Sequence, residues 1–485
     1  SESGGVVCIP LAGIVRLLST KIFSVALIAG CVPFGWSAED AKPPPDLIHS
    51  RTELLPTADA AKEWKEAEAV FTPIPEECKS DILVSWSLKG EKLDQSQAER
   101  LSKWIRANGT ALGLIEKSLQ KDRAQIPAWD SLQPMPYGVS LINLAKARLF
   151  LADQAATKGD HATATKLLLG NLKLSRLLRD AEVPVIHYLI AHSMRSMTDK
   201  AIARWARFAN PDSKTIQTVL SDLSELTDEP AAYERILRVE FTDFILPSVD
   251  VKRLSQLWVE AARTNEFVLQ MQPEELQRPL LVVHDPTLIE LHPKPLDAEK
   301  QIRFYETRFR HYAANAKAKW NERDTTLGDQ TEKIRTQLLA DLKPLLKATK
   351  DAELPLKSTA ARRVAKHYVK LDNPVGRFWQ ANEDSLARSH VRVFQARAER
   401  AATRTILAIR LYEIKNRNLP SRLDELVAAG FLPAVPIDPF SGESLHYSRD
   451  KRGVWSVGEN GMDDGGNSGA SFWQDKDAVW TLAPQ

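Results

Sequence analysis

The sequence predicts a mainly α protein: a long helical body that ends in a small α+β C-terminal domain. Three observations lead there. Apolar residues recur at helical spacing over most of the stretch from about residue 60 to 411. Alternating β-branched runs with hairpin turns are nearly absent from it. The last ninety residues instead gather Gly, Pro, Asp and Asn around two short strand patterns.

Composition bounds the function. The chain has 485 residues, 43% hydrophobic and 26% charged, which is the profile of a globular protein and not a disordered one. Its length allows two to four domains of ~100–200 residues. The 65 Lys and Arg nearly balance 63 Asp and Glu, a net charge of +2, which argues against a dedicated nucleic-acid binder. Cys8, Cys31 and Cys78 define no disulfide framework and no zinc spacing, and Cys78 reads as a buried small apolar residue.

At the N-terminus, Arg16 and Lys21 precede an apolar run from Ile22 to Val32, short for a membrane span. A basic flank, an apolar core and small residues describe an export signal over residues 1–37. Three outcomes stay open. Ile28-Ala29-Gly30-Cys31 looks like a lipobox, in which the Cys31 thiol is lipidated and anchors the chain to a membrane. A cut after Ser37 or Ala38 releases it. An uncut signal anchor retains it. Residues 38–59 read as a linker, polar and Pro-rich at Glu39 to Pro45.

The first helical domain is expected over 60–272. Its clearest helix runs from Gly138 to Thr157, with Leu141, Leu144, Ala145, Leu149 and Leu151 on the apolar spacing. Gly159-Asp160 breaks it, and a second helix follows from Ala162 to Leu178. The pair resembles a single tetratricopeptide-like hairpin, with no second copy at a fixed period. Further helices are expected from Val185 to Phe208 and from Ser213 to Leu226, the second capped by Asp212 or Ser213. Five prolines (273, 279, 286, 293 and 295) make residues 273–298 a linker in which no long helix survives. Over 299–395 a charged stretch to Lys350 reads as a solvated helix pair. Asn373-Pro374-Val375-Gly376 is another breaker, and a long helix is expected from Phe378 to Ile414.

No GxSxG, HExxH, Walker or GxGxxG motif occurs. His187 and His192, five apart, face different sides of a helix and read as structural. His284 and His292, with Asp285 and Glu290 between them, could in principle meet a metal, but an ordinary polar loop fits as well. Trp205, Trp258, Trp320 and Trp379 read as core. Asp222 and Glu225 lie one turn apart, an arrangement common on charged helix surfaces. The chain therefore reads as not an enzyme.

Residues 396–485 carry the most specific pattern. A helix to Lys415 leads to Asn418-Leu419-Pro420, a short helix from Ser421 to Ala429, and Ile437-Asp438-Pro439-Phe440-Ser441-Gly442. Strand patterns at 445–448 and 453–457 precede the loop Gly458-Glu459-Asn460-Gly461-Met462-Asp463-Asp464-Gly465-Gly466, and Asp475-Lys476-Asp477 closes the segment. This order resembles the globular part of the major pseudopilin of type II secretion. Leu411-Tyr412, Leu419-Pro420, Asp438-Pro439-Phe440, Val457-Gly458-Glu459-Asn460-Gly461 and the Asp475/Asp477 pair match that family's motifs. The resemblance implies a structural Ca2+ held by side-chain oxygens of Asn460, Asp463, Asp464, Asp475 and Asp477 and a carbonyl of Val457 or Ser456, since calcium takes six to eight oxygens from a flexible loop. The alternative is a solvated acidic turn without metal. Two departures stand out: the long helical body replaces the family's anchor helix, and Asn460 replaces an acid. The stretch Leu167–Leu226, Asn373–Arg377 and the tail together are also similar to a large group of exported bacterial helical proteins, which implies the domain order and no activity.

Three functions compete. The first is a non-catalytic extracytoplasmic scaffold or interaction protein, in periplasm or outer envelope, whose pseudopilin-like tip meets a secretion or envelope protein. The second is a solute- or polymer-binding lipoprotein that uses the body as a cleft. The third is an exported hydrolase. Exposed aromatics on a concave face would favour the second, and a deep polar pocket with shifted titrating groups the third.

Overall fold

The computed structural model describes residues 43–51, 59–79, 93–126, 137–223, 229–249, 274–348, 359–383, 386 and 388–482. The export signal with Cys8 and Cys31, Trp258 and Glu225 lie outside these. The described chain is mostly helical with one small antiparallel sheet.

The body opens with α1 (Ala61–Ala69), α2 (Gln95–Ala107) and α3 (Gly109–Ser118). Asp94 and Gln97 close a reciprocal cap at the start of α2, satisfying donors that the helix cannot. The two clearest expected helices form at their expected bounds: α4 (Gly138–Thr157) and α6 (Val185–Phe208), with α5 (His161–Asp180) between them. Gly159 takes φ +77 at the turn, and Asp160 caps α5 through Thr163 N. The expected helical hairpin is therefore present, and α6 packs on both its helices.

The apolar side of α4 is less one-sided than its spacing suggests, because Asn143, Lys146 and Arg148 are buried with its leucines. Arg148 donates to Asn171 Oδ1 at 2.8 Å and meets Glu116, while Asn171 Nδ2 donates to Ala145 O at 2.9 Å. Gly170 permits this. A Cβ there would lie 2.2 Å from an Arg148 guanidinium nitrogen.

Asp212 caps α7 (Ser213–Asp222), which ends four residues before the expected Leu226. The next helix, α8 (Glu229–Glu240), widens into a π-helical turn at Phe241–Ile245. The segment expected as a Pro-rich linker contains α9 (Glu274–Val283) and α10 (Pro286–Leu291). Both prolines are tolerated. Pro279 stands sixth of ten residues in α9 and forgoes one intrahelical hydrogen bond, and Pro286 sits at the first position of α10, where no intrahelical bond is needed. Leu276, Leu280, Val283 and Leu288 pack into a core with α12 (Thr326–Ala348), α13 (Thr359–Tyr368) and α14 (Pro374–Ala381).

The charged stretch does form two helices, α11 (Ala298–Lys317) and α12, parted by a turn at Trp320–Glu322. α11 buries Ile302, Tyr305, Phe309, Tyr312 and Ala316 along one face, against α8 and the long α15 (Val391–Asn416). The single helix expected from Phe378 to Ile414 is two, α14 and α15. Pro374 starts α14, with Asn373 in the left-handed region before it. Asn382 ends α14 by donating to Phe378 O at 2.9 Å, and Glu383 turns inward to Arg308 and Tyr312.

The tail holds α16 (Asp424–Ala428), shorter than the expected 421–429, and three strands: β1 (His446–Ser448), β2 (Gly453–Ser456) and β3 (Ala478–Thr481), in that order. The third strand supplies Ala478, Val479 and Trp480, which sequence reading took only as the end of the segment. Residue 396 falls inside α15, so the same helix serves body and tail. One continuous core runs from Trp104 and Phe150 through α6 and α15 to Val454, Trp473 and Trp480.

Candidate functional site

The acidic loop follows β2, and Asp438 fixes its start. That buried carboxylate accepts from Phe440 N at 3.0 Å, Ser456 Oγ at 2.8 Å and Val457 N at 2.9 Å. Burial raises its pKa against those three donors. Gly458 then turns at φ +70, and a Cβ there would stand 2.8 Å from both the Trp473 and Lys476 carbonyls. Gly458→Ala is therefore expected to lose about 1–3 kcal/mol in denaturant unfolding. A loss no larger than that of Gly430→Ala, which also has positive φ but open space around it, would show that the carbonyls do not matter.

The loop brings some expected ligands together and separates others. Asn460 Nδ2 donates to Asp464 Oδ2 at 3.0 Å and to Asp475 O at 3.2 Å. Asp477 accepts from Asp464 N at 3.2 Å and Gly466 N at 2.6 Å. Asn460 thus ties Asp464 to the Asp475 backbone, and Asp477 takes its hydrogen bonds from the backbone of Asp464 and Gly466. Asp463 faces away. It accepts from Trp455 Nε1 at 3.0 Å and Gly465 N at 2.9 Å, beside His446 Nδ1 at 3.3 Å. The Asp475 carboxylate instead accepts from Ser471 N at 2.8 Å. Val457 is buried, with its amide on Asp438.

Electrostatics separates the two acids. Burial raises the Asp477 pKa, two backbone N–H groups oppose this, and the Asp463 and Asp464 charges add to it. Burial also works against Asp463, but the Trp455 and Gly465 donors and nearby His446 and Lys451 hold its carboxyl below the usual range. Among the described residues, no group of three His, Cys, Asp or Glu side chains is placed to hold a metal. Calcium does not fit the set as it stands: Asn460 points its amide nitrogen at Asp464 Oδ2 and the Asp475 carbonyl, where a cation needs oxygen.

The body grips this loop through Glu459. Its carboxylate accepts from Gln395 Nε2 at 2.8 Å and pairs with Arg388, and its carbonyl accepts from Trp320 Nε1 at 3.2 Å. The Trp320 ring packs edge-on to Phe394 at 5.1 Å and Phe440 at 4.5 Å, with the Arg323 guanidinium over it. Trp320 thus serves the junction of body and tail, where sequence reading placed it in a helix core.

The other singled-out residues are structural. His187 and His192 are both buried in α6, Trp205 and Cys78 are buried, and Asp222 closes α7. Buried His284 packs against Phe378 and Trp379 at 5.1 and 6.2 Å, and burial lowers its pKa to about 4. His292 Nε2 meets Leu371 O at 2.8 Å, and Asp285 caps α10 at Thr287 N.

Sequence reading missed a polar seam between α6 and α15. Contacts advance together along the two helices, so they run parallel: Arg195 to Ala396 O at 3.0 Å, Ser196 to Glu399 at 2.6 Å, and Arg400 to Asp199 at 3.1 Å. The signal was present. His192, Arg195 and Asp199 share one face of α6, and Arg392, Gln395 and Glu399 share one face of α15, at the spacing a helix seam normally fills with apolar residues. No protein-family profile, no curated protein and no solved structure matches this chain.

Proposed function

We propose that the protein is a non-catalytic extracytoplasmic scaffold or interaction protein, in which a helical body presents a pseudopilin-like tip to an envelope or secretion partner. The single observation that supports this most is the Glu459 clamp. Trp320, Gln395 and Arg388 hold the tail loop against the body, so the loop stands at a set height and angle. A tip fixed in this way suits docking, where ordering a loop beforehand removes part of the entropic penalty of association. Lipidation at Cys31, or cleavage after the export signal, would place the body outside the cytoplasm.

In this reading the loop carries a structural Ca2+. Asp464, Asp477, the Asp475 carbonyl and the Asn460 side chain would hold it once the Asn460 amide turns its oxygen inward. The ion would neutralise the Asp464 and Asp477 carboxylates and do no chemistry. The test is thermal unfolding of the full chain in excess calcium and in chelator. An ion bound only to the folded state stabilises by about 2.7 kcal/mol at a hundredfold excess over Kd. The melting temperature is expected to rise with calcium in the native chain and to stay constant in Asp477→Asn. An equal response of both proteins, or none in either, removes calcium from the proposal.

A further inference from the structure

Acids and bases nearly balance over the whole chain, 63 against 65, but not along α12 and α13. Residues 343–348 end α12, and 359–370 hold α13 and the turn after it. Together they carry six bases, Lys343, Lys347, Arg362, Arg363, Lys366 and Lys370, and not one Asp or Glu. The link between them, 349–358, sets Lys350 and Lys357 against Asp351 and Glu353 and lies outside the described residues. The acids on the outer flanks are engaged elsewhere. Asp341 pairs with Arg377 of α14 at 2.7 Å, and Asp372 approaches Lys300 of α11 at 3.4 Å. Among the described residues, no carboxylate pairs with Lys343, Lys347, Lys366 or Lys370.

Core packing fixes where these charges stand. α12 buries Leu338, Leu342 and Leu345, α13 buries Val364 and Tyr368, and all five join one core. The Tyr368 hydroxyl is tied inward, donating to Val283 O at 2.8 Å. Lys343 and Lys347, one turn apart, and Lys366 and Lys370, also one turn apart, are left exposed. A bare apolar side chain adjoins them. His292, at the end of α10, donates from Nε2 to Leu371 O at 2.8 Å, which brings its neighbour Leu291 beside Lys370. Leu291 is 59% exposed.

We propose that the α12–α13 pair is a docking surface for an anionic lipid bilayer, with its lysines on the headgroup phosphates and Leu291 in the apolar interface beneath them. Lysine is a point charge on a flexible stem, which suits a fluid sheet of phosphates better than one fixed acceptor. Exposed lysine loses nothing by staying hydrated there, and the apolar faces of both helices stay in the core. A protein partner would select an aromatic or apolar centre with few lysines. A nucleic acid would select stacking rings or arginine forks. The described exposed side chains of the two segments are Lys343, Pro344, Lys347, Lys366, His367 and Lys370, which supply neither centre nor fork. The surface goes beyond the scaffold reading by giving the body a membrane-facing side, and it needs neither the tail loop nor calcium.

Co-sedimentation of the full chain with phosphatidylcholine vesicles, with and without about a third phosphatidylglycerol, in about 0.1 M salt tests this. Partition onto the anionic vesicles is expected to be the higher. One lysine near such a surface is worth roughly fivefold, so Lys366→Gln with Lys370→Gln should bind about twenty-five-fold more weakly. Adding Lys343→Gln and Lys347→Gln should deepen the loss, and Leu291→Ser should weaken binding as well. Lys62→Gln with Lys65→Gln removes the same charge from exposed positions on α1 and should bind as the native chain does. Arg16, Lys21 and the apolar run Ile22 to Val32 are common to every variant, so any binding through them cancels. Three results overturn the surface. Unchanged partition in the four-lysine variant means that neither helix meets the lipid. An equal loss in the α1 variant means that only total charge counts. An oligonucleotide that binds in the same salt, and binds less in the four-lysine variant, makes the partner a nucleic acid.

Discussion

Replacing Glu383 with alanine is expected to destabilise the protein by about 3–5 kcal/mol, the largest loss for any single polar side chain discussed here. The Glu383 carboxylate is 0% exposed and lies 3.0 Å from Arg308 Nε, whose side chain is 3% exposed. Tyr312 donates its hydroxyl to the other carboxylate oxygen, and Arg308 donates to Thr331 Oγ1 at 2.9 Å. Alanine leaves Arg308 charged and buried with no counter-ion, which is the expensive half of breaking a buried pair. Glu383→Gln keeps the volume and an acceptor for Tyr312, so it should lose less. The double change Arg308→Met with Glu383→Leu removes both charges and should lie closer to native than Glu383→Ala does. Denaturant unfolding of the three variants gives the order. A double variant worse than the single one would mean that the pair stabilises by attraction, and not merely by avoiding an orphaned charge.

Glu383 also shows where sequence reading stops. The helices whose apolar residues carry the whole signal, α4 and α6, appear at their expected bounds. α4 stops before Gly159 at φ +77, and α6 starts after Pro184 and stops before Asn210 at φ +53, local features that sequence states directly. The break after Ala381 is set by a partner of Glu383 seventy-five residues away, Arg308, and by Tyr312, so no local pattern announces it. The Pro-rich segment erred the other way. Proline counts marked a break, but Pro286 at the head of α10 leaves no hydrogen bond unmade, Pro279 within α9 forgoes only one, and Leu276, Leu280 and Leu288 had a core to join. In the acidic loop the residue types were legible and the directions of their side chains were not. Asp463 turns to Trp455 and Asp475 to Ser471, choices made by neighbours across the loop. The polar seam was legible as charges on apolar helix faces, but only the pairing of α6 with α15 shows that those faces meet.

Above neutral pH, Glu240→Gln is expected to be more stable than the native chain by roughly 3 kcal/mol, and the difference should vanish near pH 4.5. Glu240 is buried at the last turn of α8, beside the π-helical turn, and accepts from Val185 N at 2.9 Å. Burial pushes its pKa up from 4.5 to about 7; the Val185 amide opposes this and Asp243 adds to it. Between those two values the folded chain keeps a proton that the unfolded chain has lost. The unfolded state then binds fewer protons, so stability falls as pH rises through the window. Glutamine keeps an acceptor for Val185 N and removes the titration. His284 acts with the opposite sign: burial lowers it from 6.5 to about 4, so its contribution is lost as pH falls through that range. From about pH 4.5 to 6.5 the two slopes oppose each other and flatten the native profile. In Glu240→Gln the opposing slope is gone, and His284 together with buried His192, whose pKa burial also lowers, should make stability rise with pH to about 6.5. Denaturant midpoints of both proteins from pH 4 to 8 give the difference curve, in which all other titrating groups cancel. A constant difference across that range would mean that Glu240 titrates in the folded chain as it does in the unfolded one, and that its burial against α6 is relieved by water.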